Sequence, residues 1–169
     1  MNVEKKRRVQ DTYAISQKYS IPFQTTDNIV AEYIKYNKRK LLNGYRIDIP
    51  GLFYILPDVI KGEYKTTFAY DCYEIAKKLN IQKITVLNII KEYLQCLKQN
   101  LYNGDGIELR GLASMVPIFN EMGNVVNIQA SISTTIKMEI SEKNLSINSA
   151  RIHTYKSFRE EIKNNNREV

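Results

Sequence analysis

The decapeptide Asn43-Gly44-Tyr45-Arg46-Ile47-Asp48-Ile49-Pro50-Gly51-Leu52 returns 60 residues later as Asn103-Gly104-Asp105-Gly106-Ile107-Glu108-Leu109-Arg110-Gly111-Leu112. Each copy opens on Asn-Gly, the pair best suited to leave a helix in the left-handed conformation. Each then alternates apolar and polar side chains, as a half-buried strand does, and reaches a Gly-Leu turn. Working outward from these stretches, residues 11–57 align with residues 71–117 without a gap, and 18 of the 47 positions are identical. The matches include Tyr13/Tyr73, Lys18/Lys78, Glu32/Glu92, Tyr33/Tyr93, Lys38/Lys98 and Pro57/Pro117. Most other positions keep their character, so the chain carries one unit twice.

Each unit reads as a short helix, a longer helix and then strands, which makes the fold class α+β. In the second copy, Asp71 followed by Glu74 resembles a capping box, and Tyr73, Ile75, Ala76 and Leu79 form the apolar face of a helix ending at Asn80. Helical spacing from Val86 to Leu101 predicts a helix over 83–102. Strands are expected at 45–49 and 52–60 in the first copy, where Lys61-Gly62 reads as a tight hairpin turn, and at 107–109 and 112–119 in the second. Strict alternation from Val126 to Ile140 predicts one long strand. Ile152, Tyr155, Phe158 and Ile162 predict a closing helix capped near Ser149. The recurring Tyr13/Tyr73 and Tyr33/Tyr93 pairs are all expected in the core. The domain reading is a basic N-terminal tail at 1–10, repeat one at 11–70, repeat two with the long strand and closing helix at 71–162, and a polar tail at 163–169.

The helix-helix-strand pattern, together with Asp48-Ile49-Pro50-Gly51-Leu52 and Glu108-Leu109-Arg110-Gly111-Leu112, resembles the HU/integration host factor family. The likeness spans about 110 residues, and the turn residues that carry it are Gly44, Pro50, Gly51, Gly104, Arg110 and Gly111. Members of that family are intertwined dimers, so the resemblance implies two tandem units forming a pseudo-dimer within one chain. The family's third helix is expected only after copy two. The AT-rich tandem form is also similar to the integration-host-factor-like virion proteins of crAss-like tailed phages. That likeness implies a virion component such as a ring at the portal-tail connector, made in the bacterial host cytoplasm. Its partners would be other virion proteins and copies of itself. Without that likeness the location would be cytoplasm or nucleoid.

Family members bend DNA with long basic β-arms tipped by a proline wedge. This chain departs from them there. The turn Asn120-Glu121-Met122-Gly123-Asn124 holds neither proline nor arginine, and residues 117–144 carry Lys137 and Lys143 against Glu121, Glu139 and Glu142. An arm of that balance cannot neutralise phosphates, so the arms are short or absent. The net charge of +7 sits mainly near the N-terminus, in Lys5, Lys6, Arg7 and Arg8 and in Lys38, Arg39 and Lys40. These runs either contact nucleic acid or an acidic partner, or are a solvated tail and helix face.

No catalytic, cofactor or metal constellation is visible. His153 is the only histidine, and Cys72 and Cys96 have no metal-ligand spacing, so both read as packing residues. No apolar run approaches a bilayer span and no signal peptide is apparent. The expectation is a soluble, non-enzymatic protein without cofactor, small-molecule substrate or membrane partner. Its contacts would be protein assembly, or, alternatively, architectural DNA binding of a weak kind.

Overall fold

The 60-residue periodicity becomes a repeated helix-helix-strand-strand pattern in a computed structural model. The structure describes residues 3–57, 67–142 and 150–165, with backbone alone at 3–9 and 140–142. The elements run α1 (Val3–Tyr19), α2 (Phe23–Leu42), β1 (Ile47–Ile49), β2 (Phe53–Pro57), α3 (Phe68–Leu79) and α4 (Lys83–Tyr102). They continue with β3 (Ile107–Leu109), β4 (Ala113–Phe119), β5 (Val125–Ile132), α5 (Thr134–Glu142), β6 (Ala150–Thr154) and α6 (Lys156–Asn165). Two compact units form, and they cut across the repeats. Residues 1–36 and 66–96 make the first, and residues 37–65 and 97–169 make the second.

The first unit is helical and draws equally on both repeats. Ile15, Ile29, Val30 and Tyr33 of one repeat and their 60-residue counterparts Ile75, Ile89, Ile90 and Tyr93 are all buried. The Tyr33 ring meets Phe68 edge-on at 6.2 Å. Tyr13 and Tyr73 were expected beside them in the core, but both are exposed, at 56% and 47%. Each precedes the inward-facing Ile15 or Ile75 by two residues, about 200° round the helix, so its ring lies outside the stripe that those isoleucines define. Helix α3 starts at Phe68, not Asp71. Thr67 is its cap, accepting from the Tyr70 amide at 3.1 Å. Asp71 instead lies buried in the first turn, where Tyr36 hydrogen-bonds to it. Asn80 ends the helix with φ 55°, as Ser20 does at the matching place with φ 52°.

The second unit holds two three-stranded antiparallel sheets, ordered β1-β2-β6 and β3-β4-β5. Both helix exits close alike, with the Tyr45 amide donating to Lys40 at 3.0 Å and the Asp105 amide to Asn100 at 2.9 Å. That bond keeps Tyr45 with the helix, so β1 begins at Ile47 and not at Tyr45. Residues 49–52 then form a tight turn, Leu52 donating to the Ile49 carbonyl at 3.1 Å, with Pro50 and Gly51 at its centre. Gly51 and Gly111 both have φ +75°, which a side chain would strain. The turn expected at Lys61-Gly62 lies outside the described residues, and β2 is described only to Pro57.

The long strand expected at 126–140 is two elements. Strand β5 ends at Ile132, and α5 begins at Thr134. Ser133 makes the break, its hydroxyl accepting from the Thr135 amide at 3.3 Å and its carbonyl from the Lys137 amide at 3.3 Å. Hydroxyl residues compete for backbone bonds in this way. Within β5 the expected face holds at Ile128 and Ile132, which are buried, whereas Val125 and not Val126 is buried at its start, next to the register shift at Ile118/Phe119.

The closing segment also differs from expectation. Residues 150–154 form strand β6, which pairs with β2 through Phe53↔Thr154, Tyr54↔His153, Ile55↔Ile152, Leu56↔Arg151 and Pro57↔Ala150. Helix α6 follows, burying Phe158 and Ile162; Ser149 lies outside the described residues. Sheet β1-β2-β6 is therefore completed by the far end of the chain. The correspondence with β5-α5 is regular: the Ser133 amide donates to Leu112 at 2.9 Å, and the Tyr155 amide to Leu52 at 3.1 Å. Ser133/Tyr155, Ile136/Phe158 and Glu139/Glu161 are each 22 residues apart. Two further helices, α5 and α6, thus follow copy two in the chain, each after a strand that completes one of the sheets.

Candidate interaction surfaces

Exchanged contacts join the repeats inside each unit. Lys18 bonds Glu92 at 2.9 Å and Lys78 bonds Glu32 at 2.7 Å, each lysine and each glutamate being the other's counterpart. In the second unit Lys38 bonds Glu139 at 2.7 Å and Lys98 bonds Glu161 at 3.4 Å. Lys38 also approaches the turn at Gly111, and Lys98 crowds the turn at Gly51 to 2.9 Å from the place a Cβ would occupy. The Lys38-Arg39-Lys40 run is therefore not one basic patch. Lys38 is committed to Glu139, Arg39 is exposed, and Lys40 lies near enough to Asp48 to help hold its carboxyl down. The backbone of residues 3–10, expected as a tail, is the start of α1. The side chains of Lys5, Lys6, Arg7 and Arg8 lie outside the described residues.

The outward faces of the two sheets have diverged. On β1-β2-β6, Tyr54 stacks on His153 with ring centroids 5.1 Å apart, and the Arg46 guanidinium lies over the Tyr54 ring at 4.2 Å. Arg46 grips Asp48 through Nη2 at 2.8 Å and Nε at 3.1 Å, and the Tyr155 hydroxyl donates to the same carboxylate. Burial pushes the Asp48 carboxyl up, but the bonds from Arg46 and Tyr155 outweigh it and hold the group below its ordinary value. His153 sits in this stack on β6. The corresponding positions of β3-β4-β5 carry Ser114 for Tyr54, Ser131 for His153 and Gln129 for Arg151.

The β4-β5 hairpin replaces charge with apolar surface. Asn120 organises its turn, its side-chain oxygen accepting from the Met122 amide at 3.0 Å and the Asn124 amide at 2.9 Å. Val116, Ile118, Phe119 and Met122 stand 53%, 41%, 50% and 81% exposed along it. From Ala113 to Thr135 the only charged side chain is Glu121. Sequence reading missed this patch because it counted charges there and not the apolar residues facing outward. The signal was present in Val116-x-Ile118, alternate residues of one strand.

The thiols are poorly placed for nucleophilic chemistry. Burial pushes Cys72 up to about 12 and Cys96 up to about 11, so neither holds a thiolate near neutral pH. Among the described residues no group of three or more His, Cys, Asp or Glu side chains is placed to hold a metal, and no helix is long and apolar enough to cross a membrane. The fold is thus a mixed α+β protein with two small antiparallel sheets. Comparison with protein-family models, curated proteins and solved structures finds no match for it.

Proposed function

We propose that the chain is a non-enzymatic assembly protein: an HU/integration-host-factor-like pseudo-dimer that has exchanged DNA bending for protein contacts. The observation that carries this reading is the β4-β5 hairpin. On the HU-like reading it stands where a family member would carry a DNA arm, yet it presents Val116, Ile118, Phe119 and Met122 and has no basic residue from Ala113 to Thr135. Such a surface gains nothing from phosphates and resembles the apolar centre of a protein interface, with Asn120, Asn124, Asn127 and Gln129 as an uncharged rim. The resemblance to crAss-like phage proteins supports a more particular role as a virion component, such as a ring between portal and tail, with other virion proteins and copies of itself as partners.

The second reading is an architectural DNA-binding protein, and the net charge of +7 favours it. A salt titration of duplex binding by the full chain separates the two. The assembly reading expects weak binding that fades steeply between about 50 and 200 mM salt. Tight binding that persists at the upper end would replace it with the architectural reading.

A further inference from the structure

We propose that the β4-β5 hairpin of one copy seats on the outward face of the β1-β2-β6 sheet of a second copy. The inference rests on the assembly reading and names the partner surface.

Three observations carry it. The hairpin projects four exposed apolar side chains and a single charge, the negative Glu121. The other sheet offers the complement: Leu56 beside Arg151 across one register pair, and Tyr54 beside His153 across the next. Arg46, stacked on Tyr54 and paired with Asp48, adds a rigid planar group there and no net charge, so Arg151 is the cation that faces Glu121 in the contact. Tyrosine and arginine dominate the residues that carry protein interfaces. The arrangement is also fixed before binding, because Asp48 holds Arg46 from one side and Tyr155 from the other, so little side-chain freedom remains to be lost.

The second copy is favoured over an unrelated protein because the two sheets present complementary faces. Positions that match in register carry Tyr54 against Ser114, His153 against Ser131 and Arg151 against Gln129. Two unlike faces on one chain make a head-to-tail contact, which propagates from copy to copy and closes into a ring when the rotation allows. A net charge of +7 opposes the approach of two copies, and the hairpin is where that opposition is weakest.

Two single-cysteine chains test the contact, Met122→Cys and His153→Cys, each in a background with Cys72→Ala and Cys96→Ala. Under mild oxidation the mixture should yield a covalent heterodimer in excess of either homodimer. Sedimentation of the native chain should show self-association that Phe119→Asp and Arg151→Glu each weaken by about tenfold or more. Both substitutions are at the surface, and unchanged thermal melting confirms that the fold survives. Preferential Met122→Cys homodimers would mean hairpin against hairpin and would overturn the proposal. So would a chain that stays monomeric to about millimolar concentration. A monomer that still fails to bend DNA leaves the assembly reading standing with a different protein partner, whereas DNA bending removes both.

Discussion

Lys18 of the first repeat bonds Glu92 of the second at 2.9 Å, and the same bond recurs with the repeats exchanged, Lys78 to Glu32 at 2.7 Å. Reciprocal contacts of this kind are the mark of a two-fold interface, here within one chain. The consequence for folding is that neither repeat is a self-sufficient domain. Each contributes residues to both units.

The two bonds should differ in weight although they are counterparts. The Glu32 side chain is 9% exposed and that of Glu92 is 29% exposed. Lys78→Ala should destabilise the protein by about 2 kcal/mol or more, because it takes the ammonium away from the Glu32 carboxylate in its desolvated place. Lys18→Ala, which leaves the more exposed Glu92, should cost less than about 1 kcal/mol. Urea unfolding of the two variants checks this, and equal losses would contradict the burial argument.

The end of the chain should be indispensable to the first sheet. Phe158 is fully buried, and β6 covers the edge of β2 along five register pairs. Phe158→Ala should cost about 3–5 kcal/mol. Truncation after Glu142 should abolish amide protection across Phe53–Leu56 before it affects Ala113–Phe119. A fragment of residues 1–68, which lacks this strand and helix, should not melt cooperatively. Hydrogen exchange and thermal melting read both outcomes.

The parts of this fold that repeat were legible from residues alone. The helix over 83–102, the Asn-Gly exits and the Gly51 and Gly111 turns follow from local rules that each copy states independently. What escaped was non-local. Nothing near Pro57 announces that its strand partner comes from residues 150–154, and Ile152 fits a helix stripe as well as a strand face. Similarly, Ile132, Ile136 and Ile140 satisfy alternation and a four-residue helical repeat at once, and only the hydrogen bonds of Ser133 decide between them. The basic runs were visible, but the ion pair that absorbs Lys38 was not, since Glu139 lies far away in sequence.

Gly51→Ala should be costlier than Gly111→Ala. Both force a side chain into φ +75°, a loss of about 1–2 kcal/mol. At Gly51 the new Cβ would also meet the end of Lys98 at 2.9 Å and push it from Glu161, whereas at Gly111 the nearest group, the Lys38 ammonium, is 3.8 Å away. Lys98→Ala should therefore narrow the difference between the two variants in denaturant melts.

The Arg46-Asp48-Tyr155 cluster should make stability fall at both ends of the pH range. Burial, then the bond to Asp48, pushes Tyr155 up to about 12. Between the ordinary tyrosine value of about 10 and that figure, the unfolded chain ionises while the folded chain keeps its proton, so stability declines as pH rises. Asp48 is held below its ordinary value, so its contribution is present above the unfolded carboxylate pKa and is lost as pH falls through the folded one. Tyr155→Phe should flatten the alkaline limb of a Tm against pH curve, and Asp48→Asn the acid limb.

Whether this duplicated fold bends DNA is decided most directly by energy transfer across an end-labelled duplex of about 30 base pairs, titrated with the full chain at about 0.15 M salt. With Glu121 as the only charge on the hairpin from Ala113 to Thr135, the expected result is no saturable change in transfer. A saturable rise at submicromolar protein, reporting a sharply bent complex, would contradict the assembly account.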